Sequence, residues 1–257
     1  MRALVFFLLL ASGYAAPTAA ADMTRAEVQA LLAKGNKEHP ADLRRKDLKG
    51  VDLSGLDFRH ADLWGADLRK ADLNHSNLSG LVLDLTVMTG TNLSGANLSN
   101  TSIFGVSLVR ANLSYADLSG SRVIAIMDRA NLSHANIANA NWGADMKNQS
   151  MGLMRASLKG ADLSGADLSG ANLSRAMLKV ANLIGANLQK AMLYAADMGG
   201  ADLTDADLSG ADLSHAKLMD ANFTGVNLAG AKFKGVKEKS TLRGINNSKN
   251  LDLATFE

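Results

Sequence analysis

Large apolar residues recur at every fifth position along most of the chain. The period has no gap from Leu43 to Val123, and it resumes from Leu158 to Phe233. A small residue, usually Ala, stands two positions before each large one, with Asp or Asn between them and Ser, Gly or a charged residue after. An amphipathic helix needs apolar residues three and four apart, and a half-buried strand alternates, so neither element fits this period.

Each five-residue unit predicts one short extended side followed by a corner. In an extended chain the Ala and the Leu, two positions apart, point to the same side. The next two residues, often including Gly, turn the chain. Such a unit buries little by itself and must stack on copies of itself. The pattern therefore predicts an all-β solenoid.

The repeated motif Ala-[Asp/Asn]-Leu-X-X, seen in GADLSGADLSGANLSRAMLKVANL at residues 160–183, resembles the pentapeptide-repeat family over residues 41–235. The resemblance implies a right-handed quadrilateral parallel β-helix with four units per coil, filled by the Leu and Ala side chains. Adjacent coils would lie about 4.8 Å apart, the usual spacing of strands. It also implies a possible homodimer through the C-terminal end, as in characterised members of the family.

The two ends of the chain depart from the repeat. Residues 1–21 combine a basic start, a short apolar run and small residues before Asp22, which is typical of a secretory signal peptide. Residues 22–40 form an N-terminal cap, where Thr24 and Glu27 have the spacing of a capping box at the start of a short helix. Residues 236–257 lose the period, and their apolar residues are expected to close the last coil.

The middle of the array, residues 124–157, is irregular. Thirty-five residues separate Val123 from Leu158, the length of seven units, so we expect two deletions and one two-residue insertion that cancel within a continuous solenoid. The segments 124–130 and 147–155 are expected to bulge or loop and to carry recognition, because they alone break the repetitive surface. The candidate interaction residues are Ile126, Met127, Asp128, Arg129, Asn148, Gln149, Met151 and Met154.

Outward-pointing residues form columns at intervals of twenty residues. Trp64, Phe104 and Ile124 share one column and are a candidate surface stripe, which Ile184 joins if the register closes in whole units. Such a stripe can mark a partner or a glycan surface. Isolated surface residues, or packing against the central loops, are the alternative, which we favour from the sequence.

The charge pattern argues against mimicry of DNA. Formal net charge is +2, and carboxylate alternates with amide along the column Asp162, Asn182, Asp202 and Asn222. Quinolone-resistance members of the resembled family mimic DNA and bind gyrase, which requires a continuous acidic surface. That function is kept as the disfavoured alternative.

No arrangement for catalysis or for a cofactor is apparent in the sequence. The chain has no Cys, and its five His residues show no metal-ligand spacing. The many Asp residues are positions of the repeat, so a pair of carboxylates indicates no acid–base chemistry. We therefore predict no enzyme activity, no cofactor and no metal, with Ca²⁺ between Asp columns as the open alternative.

The sequence thus favours an exported, non-catalytic scaffold that binds an unidentified protein. A periplasmic or secreted location is expected, or the thylakoid lumen if the source is photosynthetic. We expect no nucleic acid partner and no membrane insertion after signal cleavage.

Overall fold

The chain winds into coils of four pentapeptide units each. The structure, a computed structural model, describes residues 21–145, 154–237 and 239–256. The residue before each central apolar side chain pairs in parallel with the residue twenty positions later, as in Asp47 with Asp67 and Asp162 with Asn182. Because twenty residues hold four units, the predicted quadrilateral coil is confirmed.

The corners of the coil are β-turns, illustrated by the unit centred on Leu63. The amide of Ala66 donates to the carbonyl of Leu63 at 2.9 Å, and Gly65 between them has a φ of 68°. A positive φ at the third residue defines a type II turn, which favours glycine. The carboxylate of Asp62 accepts the amide of Trp64, the second residue of the turn, at 3.0 Å. The Asp or Asn of the repeat therefore holds the turn that follows it.

The core is a narrow column of Leu and Ala side chains. Central residues such as Leu68 and Leu188 are fully buried, and so are Ala66 and Ala186, the small residues two positions before them. Burial of one Leu stabilises the fold by about 1.5–3 kcal/mol. Stability therefore increases with the number of stacked coils.

Continuous secondary structure is sparse because each side of a coil is so short. The regular elements are helix α1 (Arg25–Leu32) and strands β1 (Ala41–Asp42), β2 (Ala61–Asp62), β3 (Ser102–Ser107) and β4 (Arg122–Ile126). Strand β1 pairs with β2 and strand β3 with β4, both in parallel. Short 3-10 helices occur at Lys239–Thr241, Ile245–Asn247 and Leu251–Leu253.

Helix α1 covers the first coil, as the capping box predicted. The side chain of Thr24 accepts the amide of Glu27, and the side chain of Glu27 accepts the amide of Thr24. Val28 is fully buried, while Leu31 and Leu32 pack against the core from its edge. The helix therefore replaces the missing neighbour of the first coil.

The tail continues the solenoid with irregular spacing. Bridges join Asn222 to Arg243, Asn227 to Lys249 and Lys232 to Thr255. The ring of Phe256 stacks on Phe233 with 4.8 Å between ring centroids. Leu242, Ile245 and Leu251 pack on the core, whereas Leu253 is 56 % exposed and takes no part in closing it.

A deletion of one residue occurs in strand β4. Phe104 pairs with Ile124, but Val106 pairs with Ala125, so Gly105 has no counterpart in the next coil. Met127 becomes the following central residue and is fully buried. Residues 124–130 were expected to bulge or loop: the register shift confirms an irregularity here, but the expectation of a loop is wrong, because this segment continues the coil.

An insertion of eleven residues follows Trp142. Asn141 pairs with Asn172, thirty-one positions later instead of twenty. The amide of Asp145 donates to the carbonyl of Met154 at 3.1 Å and closes the base of this insertion. Val123 and Leu158 are thus five units apart. The expectation of seven units with cancelling small changes is wrong.

Candidate interaction surface

The quadrilateral coil has four faces, each a stack of units. Face 1 contains the units centred on Leu43, Leu63, Leu83, Ile103, Val123, Trp142, Leu173, Leu193, Leu213 and Phe233. Face 2 contains those centred on Leu48, Leu68, Met88, Leu108, Met127, Leu158, Leu178, Met198 and Leu218. Faces 3 and 4 begin with the units of Leu53 and Phe58. Face 2 lies opposite face 4.

Faces 3 and 4 carry ladders of neutralised polar residues. The side-chain amide of Asn182 donates to the carboxylate of Asp162 in the preceding coil at 2.9 Å. Asn187 donates to Asp167 in the same way at 3.0 Å. The alternation of carboxylate and amide is thus a hydrogen-bond ladder. These faces therefore offer a partner little unsatisfied polar surface.

Stacked carboxylates at the N-terminal end share cations. The ammonium of Lys49 lies 2.7 Å from Asp47 and 3.5 Å from Asp67. The hydrogen bond from Lys49 holds the pKa of Asp47 below its ordinary value, and the nearby Asp67 opposes this effect. Arg44 bridges two further stacked carboxylates on face 1. The acidic residues at this end are therefore also neutralised.

Face 1 carries a stripe of exposed apolar side chains. Trp64 is 37 % exposed, Val82 59 % and Leu85 50 %, and the ring of Phe104 in the next coil is half-buried. The guanidinium of Arg45 lies over the Trp64 ring, 4.8 Å from its centroid. We call Trp64, Val82, Leu85 and Phe104 the apolar stripe.

The prediction that Phe104 and Ile124 share a column is confirmed, but the prediction that Ile124 is an outward-pointing surface residue is wrong. That side chain is only 5 % exposed. It lies at a depression of about 240 Å³ that Met154 and Arg155 also line. The deletion in β4 brings the side chain inward.

Sequence reasoning missed Val82 and Leu85, although a signal was present. Val82 stands where the repeat has Asp or Asn, and Leu85 stands at the turn position that is usually Gly or polar. Leu85 also has a φ of 64°. A non-glycine residue in the left-handed region costs roughly 1–3 kcal/mol, and the corners of other units have the same conformation, as at Arg45 and Lys70.

The insertion starts at the corner between faces 1 and 2, and its base is firmly held. One guanidinium nitrogen of Arg122 donates to the carbonyls of Asn141 and Gly143, both at 2.9 Å. Burial lowers the pKa of Arg122, and the charge of Asp145 opposes that shift. The indole of Trp142 is fully buried and donates to the hydroxyl of Ser121 at 3.0 Å.

The candidate interaction residues of segment 124–130 differ in their exposure. Ile126 is 51 % exposed on face 2, and Arg129 is exposed beside it. Met127 is fully buried, so its prediction as a contact residue is wrong. Asp128 accepts the hydroxyl of Ser157 at 2.5 Å and the amide of Lys159 at 3.1 Å.

The remaining candidates belong to the insertion. Met154 is half-buried at its base. Asn148, Gln149 and Met151 lie outside the described residues.

The insertion also changes which residues share a column. Ser174 follows Gly143 in the column of Trp64, and Tyr194 follows Ser174. Ile184 therefore lies on face 3, and the prediction that it joins this column is wrong. Tyr194 contacts Arg175 and His215, at 5.8 Å from the guanidinium carbon and 5.3 Å between ring centroids.

The described part of the chain contains no cluster of three His, Asp or Glu residues able to hold a metal ion. In the same part, no helix is long and apolar enough to cross a membrane.

Comparison with known proteins points to one family. The family model for pentapeptide repeats matches eight copies, at residues 41–65, 66–103, 91–123, 156–193 and 196–235. These ranges cover more than half of the chain and leave out the stretch with the deletion and the insertion. No curated protein sequence gave a match.

Several solved structures are similar in sequence. HetL, a pentapeptide repeat protein involved in heterocyst differentiation regulation in the cyanobacterium Nostoc sp. strain PCC 7120, is 32 % identical. The match covers 91 % of this chain and 94 % of HetL, with a TM-score of 0.31. Full-length QnrB1, a plasmid-mediated fluoroquinolone resistance protein, is 21 % identical over 74 % of this chain and 88 % of its own, with a TM-score of 0.27. A pentapeptide repeat protein of the Arabidopsis thaliana thylakoid lumen is 22 % identical over 62 % and 88 %, with a TM-score of 0.19.

Proposed function

Because the chain belongs to the pentapeptide-repeat family, we propose that it is a rigid, non-catalytic scaffold that binds a protein partner through the apolar stripe of face 1. Proteins of this family are generally structural or binding proteins. The fold expected from the repeat, a right-handed quadrilateral β-helix with a short N-terminal helix, is confirmed.

The exposed position of Val82 and Leu85 is the observation that carries this proposal. Both side chains stand at positions that most units of the repeat fill with polar residues or Gly, and Leu85 has a φ of 64°. An exposed apolar patch of this kind marks a protein interaction site. Burial of each side chain by a partner would contribute about 1.5–3 kcal/mol.

The base of the insertion lies on the same side of the solenoid. It departs from face 1 after Trp142 and returns to face 2 before Leu158, next to Ile124 and Ile126. A partner that covers the apolar stripe would therefore reach this corner. We assign the insertion a secondary role in recognition.

A quantitative comparison of variants tests the proposal. Wild type and the variant Val82→Ser/Leu85→Asn would be used to enrich proteins from the native envelope fraction. A matched variant, Tyr115→Ser/Ile184→Ser, removes two exposed apolar side chains from face 3. We expect at least tenfold lower recovery of the wild-type partner with the face 1 variant, and unchanged recovery with the face 3 variant. Equal recovery by all three proteins would contradict the proposal.

We also propose that residues 1–21 direct export, to the periplasm or beyond. Residues 1–20 lie outside the described structure, and the charged, apolar and small-residue order of residues 1–21 supports the proposal. Fusion of residues 1–21 to a reporter active only outside the cytoplasm tests it. Retention of the reporter in the cytosol would exclude export.

Binding to gyrase by mimicry of DNA is less well supported. The carboxylate columns alternate with amides or share cations, so the described surface has no continuous acidic face. A gyrase supercoiling assay with added protein checks this alternative, and protection from a fluoroquinolone would favour it.

A further inference from the structure

Face 2 presents one unbroken ladder along the solenoid. Parallel bridges join successive coils at Asp47, Asp67, Val87, Ser107, Ile126, Ser157, Met177, Asp197 and Lys217. At about 4.8 Å for each step, this ladder is about 38 Å long. It is therefore a single broad surface.

The middle of face 2 concentrates cations without ion-pair partners. Arg110, Arg129, Lys159 and Lys179 are all exposed and occupy four consecutive coils. Among the described residues, no carboxylate lies within ion-pair distance of any of these four. Asp128 is the only carboxylate in the same four units, and it already accepts two hydrogen bonds. This part of face 2 therefore carries a net positive charge.

These cations also stack on like charges. Arg110 and Arg129 hold the same turn position in neighbouring coils, and so do Lys159 and Lys179 one position earlier in the unit. Like charges directly opposed on neighbouring strands destabilise a sheet. Apart from Asp52 and Asp72 in the first two coils, the ladders of faces 3 and 4 avoid this arrangement by placing amides next to carboxylates. Stability of the fold therefore does not account for the cations of face 2.

Exposed aliphatic side chains lie beside these cations at Ile126 and Val180, and two coils beyond them at Met219. Ile126 is 51 % exposed, Val180 62 % and Met219 55 %. Val180 has a φ of 51°, and a β-branched residue in the left-handed region is a genuine outlier. A soluble polyanion would leave these side chains in water. The surface of an anionic bilayer would bind the cations through phosphates and receive the aliphatic groups at the acyl boundary.

We propose that face 2 docks the protein on an anionic lipid bilayer, with Arg110, Arg129, Lys159 and Lys179 against the headgroups and Val180 at the acyl boundary. The solenoid then lies along the membrane. Face 1, around the corner, stays open to its protein partner. This docking depends neither on that partner nor on export, so either proposal can fail without the other.

Co-sedimentation with vesicles tests the docking. The full chain is mixed with vesicles of phosphatidylcholine alone or with phosphatidylglycerol added. Every variant keeps residues 1–21, so the apolar N-terminus contributes equally to all of them, and binding is compared between variants and between vesicle compositions. We expect binding to increase with the fraction of phosphatidylglycerol and to fall with added salt.

Matched substitutions locate the contact. Lys179→Gln on face 2 and Lys190→Gln on face 4 remove the same charge from the same coil. We expect roughly fivefold lower partition for Lys179→Gln, roughly twenty-five-fold lower for Lys159→Gln/Lys179→Gln, and no change for Lys190→Gln. Val180→Gly should weaken binding several-fold without loss of folding, because glycine suits its backbone.

Three results would overturn the proposal. The first is equal binding to neutral and to anionic vesicles. The second is an equal loss for Lys179→Gln and Lys190→Gln, which would indicate an effect of net charge alone. The third is binding to inorganic polyphosphate as tight as to vesicles together with unchanged vesicle binding of Val180→Gly, which would indicate a soluble polyanion.

Discussion

The ladder of carboxylate and amide side chains can be tested at Asn182. Its amide donates to Asp162 in the preceding coil at 2.9 Å, and Asp202 occupies the same position in the following coil. The substitution Asn182→Asp keeps the acceptor for the amide of Ile184 but removes the donor. It also places three carboxylates in a column at strand spacing.

The expected cost has two parts. A hydrogen bond to a charged acceptor contributes about 1.5–3 kcal/mol. Two unit charges about 5 Å apart repel each other by about 0.8 kcal/mol in water, and by more near a protein surface. We therefore expect Asn182→Asp to lower the free energy of unfolding by about 2–4 kcal/mol near pH 7 and at low salt.

Urea denaturation followed by circular dichroism measures this loss. The slope of the free energy of unfolding against urea concentration checks that variant and wild type expose the same surface area on unfolding. The control is the double variant Asp162→Asn/Asn182→Asp, which removes one of the two facing carboxylates and should recover about 1 kcal/mol. Added salt should recover part of the remaining loss. A free energy of unfolding for Asn182→Asp within about 0.5 kcal/mol of wild type would refute the ladder as a source of stability.

Four further predictions follow from other parts of the structure. Trp142→Ala should lower the free energy of unfolding in urea by about 3–5 kcal/mol because the ring fills the core. Trp64→Ala should change that free energy by less than about 0.5 kcal/mol. Equal effects would contradict the burial of Trp142 and the exposure of Trp64. Deletion of residues 145–155 restores the five-residue step from Trp142 to Leu158, so circular dichroism should show an intact β-helix, and unfolding of this variant would show that the insertion is structural. Leu85→Gly should raise the free energy of unfolding by about 0.5–2 kcal/mol by relieving strain, and a lower value would argue that the exposed Leu stabilises its own coil. Asp42, Asp47, Asp57 and Asp67 have pKa values lowered from 3.8, chiefly by hydrogen bonds from Arg or Lys. Their contribution to stability is present above that ordinary value and lost as the pH falls through the lowered values, so denaturation midpoints should drop in this acid range, and less so in Lys49→Ala.

Much of the fold could be predicted because each unit repeats the same local solution. Leu63 is buried and Asp62 fixes a turn for reasons contained in five residues. The capping box of Thr24 and Glu27 was equally local. Register across residues 124–157 was not, because several combinations of deletions and insertions reach Leu158 from Val123. Pairing of Phe104 with Ile124 and of Asn141 with Asn172 decides between them, and that pairing depends on neighbouring coils.

The interaction surface was predicted only in part for the same reason. Trp64 and Phe104 stand out as large residues in a column of small polar ones. Ile124 stands out equally, but a missing residue in its own strand turns it inward. Leu85 and Val180 were overlooked because their importance depends on a left-handed backbone, which is visible once the turn type is known.

Site-specific photo-crosslinking tests the central claim that face 1 is the protein-binding surface. A photoreactive amino acid would be placed in turn at Val82, Leu85, Ser94 and Ser99, which sample faces 1, 3 and 4 of about one coil. Cells expressing each variant would be irradiated and the adducts identified by mass. The account predicts the same partner adduct from Val82 and Leu85 and none from Ser94 or Ser99. Adducts of equal yield from all four positions, or from Ser94 and Ser99 alone, would contradict it.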